Sequence, residues 1–116
     1  MNQFLEQALL YDFYGELLTD HQKEIYEQFV LEDLSLREIA DMEGISRQGV
    51  HDLVRRCQRT LEEYESKLHL VQRFLSVKEK MGRLDRELTV LESGQEDSEE
   101  IIRTIRQISD SILEEL

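Results

Sequence analysis

Residues 35–56 read SLREIADMEGISRQGVHDLVRR, and this stretch decides the fold. A helix-turn-helix motif needs a small residue where its first helix crosses the second, and Ala40 supplies it. The tight turn is expected four residues later, at Gly44, with Ile45 as a buried turn residue. The pattern is completed by apolar residues on the two helices, at Ile39, Val50 and Leu53. These spacings together predict a helix-turn-helix motif, and two ordinary packed helices joined by a glycine turn are the alternative.

Capping patterns predict where the neighbouring helices begin and end. Thr19 is followed at the third helical position by Gln22, and Ser35 by Glu38, so each pair is typical of a capping box. A broad apolar face over residues 3–18 predicts another helix before them.

The same reasoning applies around the turn of the motif. Gly44 tolerates the left-handed conformation at a helix C-terminus, so the third helix should end near Glu43. Ser46 is placed to cap a fourth helix that runs to about Glu65 or beyond. The chain has no proline and no Asn-Gly or Asp-Gly hairpin signal, and good helix formers dominate it. The predicted fold class is all-α.

Beyond residue 66 the apolar spacing changes to that of a coiled-coil seam. Intervals of 4, 3, 4 and 3 separate Val77, Met81, Leu84, Leu88 and Leu91. After a polar loop over residues 93–98, intervals of 4, 3 and 4 separate Ile101, Ile105, Ile108 and Ile112. Two amphipathic helices joined by a short polar loop predict an antiparallel helical hairpin.

We therefore expect two domains. Residues 1–65 should form the helix-turn-helix domain, winged-helix-like or similar to region 4 of sigma factors, and residues 66–116 the C-terminal hairpin. The hairpin leaves several apolar side chains to be covered, at Leu70, Val71, Phe74, Leu75 and Ile102. They could pack back onto the first and fourth helices, or they could form the interface of a homodimer. We favour the homodimer, which relates two recognition helices by a twofold axis.

Composition restricts the class of protein and, at first sight, its partners. The 116 residues carry a net charge of −12 and a single cysteine, which excludes an internal disulfide framework. We find neither a signal peptide nor a membrane-spanning stretch, so a cytoplasmic protein without membrane insertion is expected. The charge is uneven: residues 1–34 carry −7, residues 61–116 carry −6, and residues 45–60 carry +3. Double-stranded DNA therefore remains a candidate partner for the fourth helix.

Position along the fourth helix assigns a role to each candidate DNA-binding residue. The exposed start of a recognition helix enters the major groove, which places Arg47, Gln48 and His51 near base edges. Ser46 and the free backbone N–H groups around it could hold a phosphate. Phosphate contacts are expected further along, from Arg55, Arg56 and Arg59. Asp52 opposes them, and chance clustering of arginines on a solvated face is the alternative.

No catalytic, cofactor or metal site is predicted, and nothing in the sequence indicates an enzyme. His21, His51 and His69 are interpreted as isolated histidines without ligands at metal-binding spacing. Cys57 lies on the apolar face of the fourth helix and is interpreted as a small core residue. Nearby arginines leave a redox-sensing role as the alternative for this thiol.

Residues 19–62 resemble the promoter-reading region 4 of bacterial primary-type sigma factors. SLREIA at 35–40 and ISRQGV at 45–50 correspond to the T-x-E-E-I-G and V-[ST]-R-E-R-V patterns of that region. The resemblance implies that Arg47 contacts DNA, and Arg56 falls at a position that is often basic. The chain departs from the pattern at three positions, Gln48, Gly49 and Asp52, where the family usually has Glu, Arg and Gln.

The chain also resembles the YlxM family over residues 1–110, including its opening MNQFLEQALLYDFYGELLTDHQKEIYEQFVLEDLSLREIA. These small helix-turn-helix proteins take their name from a gene neighbourhood beside the signal recognition particle GTPase in Gram-positive bacteria. The resemblance implies a regulatory or accessory role in the signal recognition particle pathway. Two hypotheses follow: a DNA-binding regulator, or an accessory factor that binds components of the signal recognition particle or its expression machinery instead of DNA.

Overall fold

The structure is a computed structural model that describes residues 3–95 and 97–116. Six α-helices follow one another there: α1 (Gln3–Tyr14), α2 (Asp20–Val30), α3 (Leu36–Glu43), α4 (Arg47–Leu68), α5 (Leu70–Ser93) and α6 (Ser98–Glu115). These residues contain no β-strand, so the all-α prediction is confirmed and the described part of the helix-turn-helix region has no β-wing. None of these helices is both long enough and apolar enough to span a membrane.

The chain divides into two compact units within α5. The first unit extends to Val71, and the second comprises Gln72–Leu116. Helix α4 continues to Leu68 and ends at His69, which adopts a left-handed conformation with φ of 56°. The functional division into residues 1–65 and 66–116 stays a prediction.

Helix α4 is the centre of the first unit, because α1, α2 and α3 all pack against it. Its apolar residues recur at intervals of 4, 3 and 4, which places them on one helical face. That face supplies the buried side chains Val50, Val54, Cys57 and Leu61. The surrounding helices contribute the other fully buried large side chains, Tyr14, Ile25, Tyr26 and Ile39.

The predicted capping boxes are both present. The Thr19 and Ser35 hydroxyl oxygens accept hydrogen bonds from the backbone N–H groups of Gln22 and Glu38 at 3.2 and 3.1 Å. In return, the side chains of Gln22 and Glu38 accept from the cap N–H groups at 3.0 and 3.2 Å. These local bonds satisfy N–H groups that a helix start otherwise leaves unpaired, which explains why the helix starts could be predicted.

The first helix ends earlier than predicted. The α-helix stops at Tyr14, and Gly15–Leu17 forms a 3₁₀ turn instead of continuing to residue 18. A Cβ atom on Gly15 would lie 2.7 Å from the ring of Tyr11, so the close approach of that ring requires glycine. The apolar pattern alone did not reveal this contact.

The turn of the helix-turn-helix motif has the predicted glycine geometry. Gly44 is left-handed, with φ of 69°, and the carbonyl of Ala40 accepts from the N–H groups of Gly44 and Ile45 at 3.0 and 3.2 Å. Ala40 is buried as expected, but Ile45 is 39 % exposed, so its predicted burial is wrong. The Ile45 side chain lies beside Gly49 on the first turn of α4 rather than in the core.

Tyr14 connects the end of α1 to the junction between α4 and α5. Its buried hydroxyl donates to a carboxylate oxygen of Glu65 and accepts from the backbone N–H of Leu70 at 3.1 Å. The same oxygen of Glu65 accepts from the N–H of Val71 at 3.0 Å. Burial is the main cause that raises the pKa of Tyr14, and the bond to Glu65 adds to it.

Replacing Tyr14 with Phe should lower the free energy of unfolding by about 2 kcal/mol, because two hydrogen bonds are lost and a charged acceptor loses a donor. Urea denaturation followed by circular dichroism measures this change. Tyr64→Phe is the matched control: the Tyr64 ring stacks on Tyr14 at 6.0 Å between centroids, and the substitution keeps that stack. Equal losses in the two variants would contradict a special role for the Tyr14 hydroxyl.

The second unit is an antiparallel hairpin. The carboxylate of Glu115, at the end of α6, accepts from Ser76 Oγ at 2.7 Å and pairs with Lys80 Nζ at 3.0 Å, both in the first half of α5. These contacts lower the pKa of Glu115, the bond from Ser76 contributing most. The predicted loop lies between the helices, and its residue Glu96 is outside the described residues.

The predicted seam of the hairpin is right in part. Ile101 and Ile108 of α6 are buried, and α5 has half-buried residues every seven positions at Val77, Leu84 and Leu91. Met81 and Leu88 are instead 56 % and 40 % exposed, so their assignment to the seam is wrong. Two long charged side chains are partly covered in their place, those of Lys80 and Glu87. Such side chains can bury their aliphatic stems while the charged ends reach solvent.

Candidate nucleic-acid interface

Helix α4 begins as the sequence predicts, at the Ser46 cap. The Ser46 hydroxyl oxygen accepts from the backbone N–H of Gly49 at 2.9 Å. Unlike α2 and α3, α4 has no acidic residue in its first turn. The positive end of the helix dipole is therefore not offset there by a carboxylate of the helix itself, which favours an anion at this end.

Six of the predicted DNA-binding residues lie on the surface of α4 that its core leaves to solvent: Arg47 and His51 flank the buried face, and Gln48, Arg55, Arg56 and Arg59 lie opposite it. We define the basic face as the exposed or half-exposed side chains of Arg47, Gln48, His51, Asp52, Arg55, Arg56 and Arg59. The core fixes which residues of α4 face solvent, because rotating α4 about its axis would expose Val50 and Val54.

The arginines of the basic face form no ion pair with a carboxylate of the described residues. Within the part of the chain that the structure describes, no carboxylate oxygen lies within 4.0 Å of a guanidinium nitrogen of these residues, Arg47, Arg55, Arg56 and Arg59. A phosphate could therefore pair with them without displacing an internal partner.

Asp52 lies among the arginines and is held by a neighbour one turn away. Gln48 Nε2 donates to Asp52 Oδ1 at 2.9 Å, and His51 Nδ1 lies 3.6 Å from the same oxygen. The His51 Nδ1 atom is buried and makes no hydrogen bond. This bond uses one of the two N–H donors of the Gln48 amide, and Asp52 reduces the positive potential of this face.

Two open concavities flank His51. One, of about 460 Å³, is lined by His51, Asp52 and the arginines Arg55, Arg56 and Arg59. The other, of about 470 Å³, is lined by Arg47, Gln48, His51 and Leu36. Leu36 was not among the predicted site residues; its position directly after the Ser35 cap is the only sequence signal that places it beside the start of α4.

Cys57 lies on the opposite, buried face of α4. Burial raises the pKa of its thiol to about 11, and the nearby positive charge of Arg56 lowers it only in part. Because the thiolate is the reactive form, this environment suits the core residue that the sequence predicts rather than a redox sensor.

We expect the thiol of the folded protein to react with a disulfide reagent at pH 8 about 100-fold more slowly than in the unfolded chain, since a pKa near 11 leaves little thiolate. The reaction of the thiol with the reagent is followed by absorbance at a series of pH values. Its rate should rise about tenfold per pH unit. Equal rates with and without guanidinium would contradict burial.

The raised pKa of Cys57 also affects stability: the thiol's stabilising contribution persists below about pH 9 and is lost as pH rises through about 11.

The structure corrects the interpretation of one histidine. His21 is not isolated: a nitrogen of its imidazole and carboxylate oxygens of Glu24 and Glu43 all lie within 4.8 Å of one another. The spacing of three between His21 and Glu24 could have indicated this pair, but the contribution of Glu43 depends on the crossing of α2 and α3.

Comparison with known proteins finds a family and several relatives that the chain resembles in sequence. Residues 1–107 match the family described as "Putative helix-turn-helix protein, YlxM / p13 like". The chain is similar to a UPF0122 protein of Thermoanaerobacter sp. strain X514, with 42 % identity over 97 % of this chain and 96 % of the relative. It is also 48 % identical to a UPF0122 protein of Caldanaerobacter subterraneus subsp. tengcongensis, over 72 % of this chain and 71 % of the relative.

Proposed function

The chain belongs to the YlxM/p13-like helix-turn-helix family, and from this premise we propose that it is a regulatory protein that binds double-stranded DNA through the basic face of α4. The observation that carries the proposal is the group of arginines on the exposed side of the second motif helix, which have no carboxylate within 4.0 Å in the described part of the chain. The family is a helix-turn-helix family and not an enzyme family.

The proposed docking follows from the order of residues along α4. The N-terminal turns enter the major groove, where Arg47 and Gln48 reach base edges and His51 lies beside them. The N–H groups at Ser46 and the later arginines, Arg55, Arg56 and Arg59, contact phosphates on either side. Asp52 accepts a hydrogen bond from the amino group of a cytosine or repels the backbone, so it restricts the sequences that bind.

Net charge limits the strength of this interaction. The remainder of the chain is strongly acidic, with −7 over residues 1–34 and −6 over residues 61–116. This acidity repels DNA at long range and suppresses non-specific binding, whereas the basic face acts at short range. The proposal therefore requires weak, salt-sensitive binding confined to residues 46–59.

Fluorescence anisotropy with duplexes selected from a random pool tests the proposal. If the basic face neutralises three or four phosphates, raising the salt from about 50 to about 200 mM should weaken binding by about 100-fold. Arg47→Ala combined with Arg55→Ala should abolish binding.

The charge-matched control is Arg83→Ala combined with Arg103→Ala, two exposed arginines of the hairpin, which should keep the affinity within about twofold. Asp52→Asn should strengthen binding, since it removes the acid but keeps an oxygen that can accept from Gln48. Absence of duplex binding at low salt, or equal effects of the two double variants, would refute the proposal.

A second candidate function is that of a cytoplasmic accessory factor that binds protein or ribonucleoprotein components of the signal recognition particle pathway. Two features of the first turns of α4 favour it, the acid at Asp52 and the glycine at Gly49, which costs about 1 kcal/mol of helix stability relative to alanine. Retention of those components on immobilised protein, together with no duplex binding, would support this function over the first.

We also propose that the hairpin forms a homodimer. Exposed apolar side chains follow a stripe on each of its helices, Met81 and Leu88 on α5 and Ile102 and Leu113 on α6. A twofold interface through such stripes would present two recognition helices to a pseudo-palindromic site.

Sedimentation equilibrium should show a mass of twice 13.8 kDa at micromolar concentration. Met81→Glu combined with Ile102→Glu should give a folded monomer, because two charges would be buried in the interface. Arg83→Glu combined with Arg103→Glu serves as the control on exposed polar positions. A 13.8 kDa species at high micromolar concentration would exclude the homodimer.

A further inference from the structure

The crossing of α2 and α3 carries a cluster of metal-ligating side chains outside the basic face. His21 and Glu24 come from α2, and Glu43 is the last residue of α3. One ligand atom from each lies within 4.8 Å of the other two. Zinc binds imidazole nitrogen at about 2.0–2.1 Å and carboxylate oxygen at about 2.0–2.2 Å, so bound donors lie within about 4 Å of one another.

Helical spacing explains why the donors converge. His21, Glu24 and Gln28 are separated by intervals of three and four residues, which places them on one face of α2. Helix α3 packs against α2, and its last turn brings Glu43 to this face. The ligand set therefore depends on the tertiary crossing and on an ordinary helical repeat.

Gln28 provides an independent indication that a ligand belongs here. Its side chain is buried, with 8 % exposure, and its Nε2 donates to Glu43 Oε1 at 3.0 Å. The other atom of the same amide, Oε1, is buried and has no hydrogen-bond partner among the described residues. Buried acceptors are almost always satisfied in folded proteins, and a water molecule on a bound metal ion would supply the missing donor.

The two carboxylates of the cluster form no ion pair with a basic side chain of the described residues. Within the described residues, no lysine or arginine nitrogen lies within 4.0 Å of the carboxylates of Glu24 or Glu43. Two carboxylates that share a site repel each other, and a divalent cation between them removes that repulsion. An imidazole together with two carboxylates suits a transition metal, whereas Ca²⁺ takes six to eight oxygen ligands.

We propose that His21, Glu24 and Glu43 bind one divalent transition-metal ion of the Zn²⁺ class, with Gln28 accepting a hydrogen bond from a water on that ion. The ion ties α2 to the first helix of the helix-turn-helix motif and adds positive charge to the acidic N-terminal segment. This site does not require that the protein bind DNA.

Isothermal titration of the metal-free, full-length protein with ZnCl₂ tests the site, together with thermal melts at the same metal concentrations. We expect one ion per chain and a melting temperature that rises with free metal, because the ion binds the folded state. His21→Ala, Glu24→Gln and Glu43→Gln should each weaken binding at least tenfold and remove the thermal shift.

Two controls match these changes in side-chain type. His69→Asn removes another histidine and keeps a residue that tolerates the left-handed conformation, and Glu92→Gln removes an exposed acid of the hairpin. Both should keep the affinity within about twofold. Either of two results overturns the proposal: no saturable binding below about 1 mM metal, or an equal loss of affinity in the cluster and control variants.

Discussion

The first unit depends on the burial of one face of α4. Val50, Val54, Cys57 and Leu61 recur at helical spacing, and three other helices cover them. Burying such side chains stabilises the unit by about 1–3 kcal/mol each, more than an exposed ion pair typically contributes. The same burial fixes the rotation of α4 about its axis. The arginines on the opposite side are therefore held toward solvent by the core and not by contacts of their own.

The burial of that face of α4 also decides which charged side chains remain without a partner. A net charge of −12 predicts that nucleic acid repels the protein, yet most of the acidic residues lie before and after the motif. The basic face is locally positive because its arginines outnumber its one acid, Asp52. In the described chain, no carboxylate lies within pairing distance of these arginines. The number of these charges follows from the sequence alone. Which of them remain without an internal partner depends on packing.

Local signals were the reliable part of the sequence. The boxes at Thr19 and Ser35 and the left-handed Gly44 are formed by residues within about four positions of each other, so the helix boundaries that they define were predictable. The errors occurred where a side chain had a choice of neighbours. Ile45 packs on the first turn of α4. In the hairpin, Met81 and Leu88 are exposed, and Lys80 and Glu87 are partly covered in their place.

The sequence by itself determined the fold class, the motif, its turn and the residues of the basic face, because helical periodicity and capping act over one or two turns. Only the tertiary structure decided which distant groups meet. The Tyr14 hydroxyl makes hydrogen bonds with Glu65 and Leu70, more than fifty residues away. His21 and Glu24 lie close to Glu43 at a helix crossing. Such meetings depend on how whole helices pack, and no spacing along the chain specifies them.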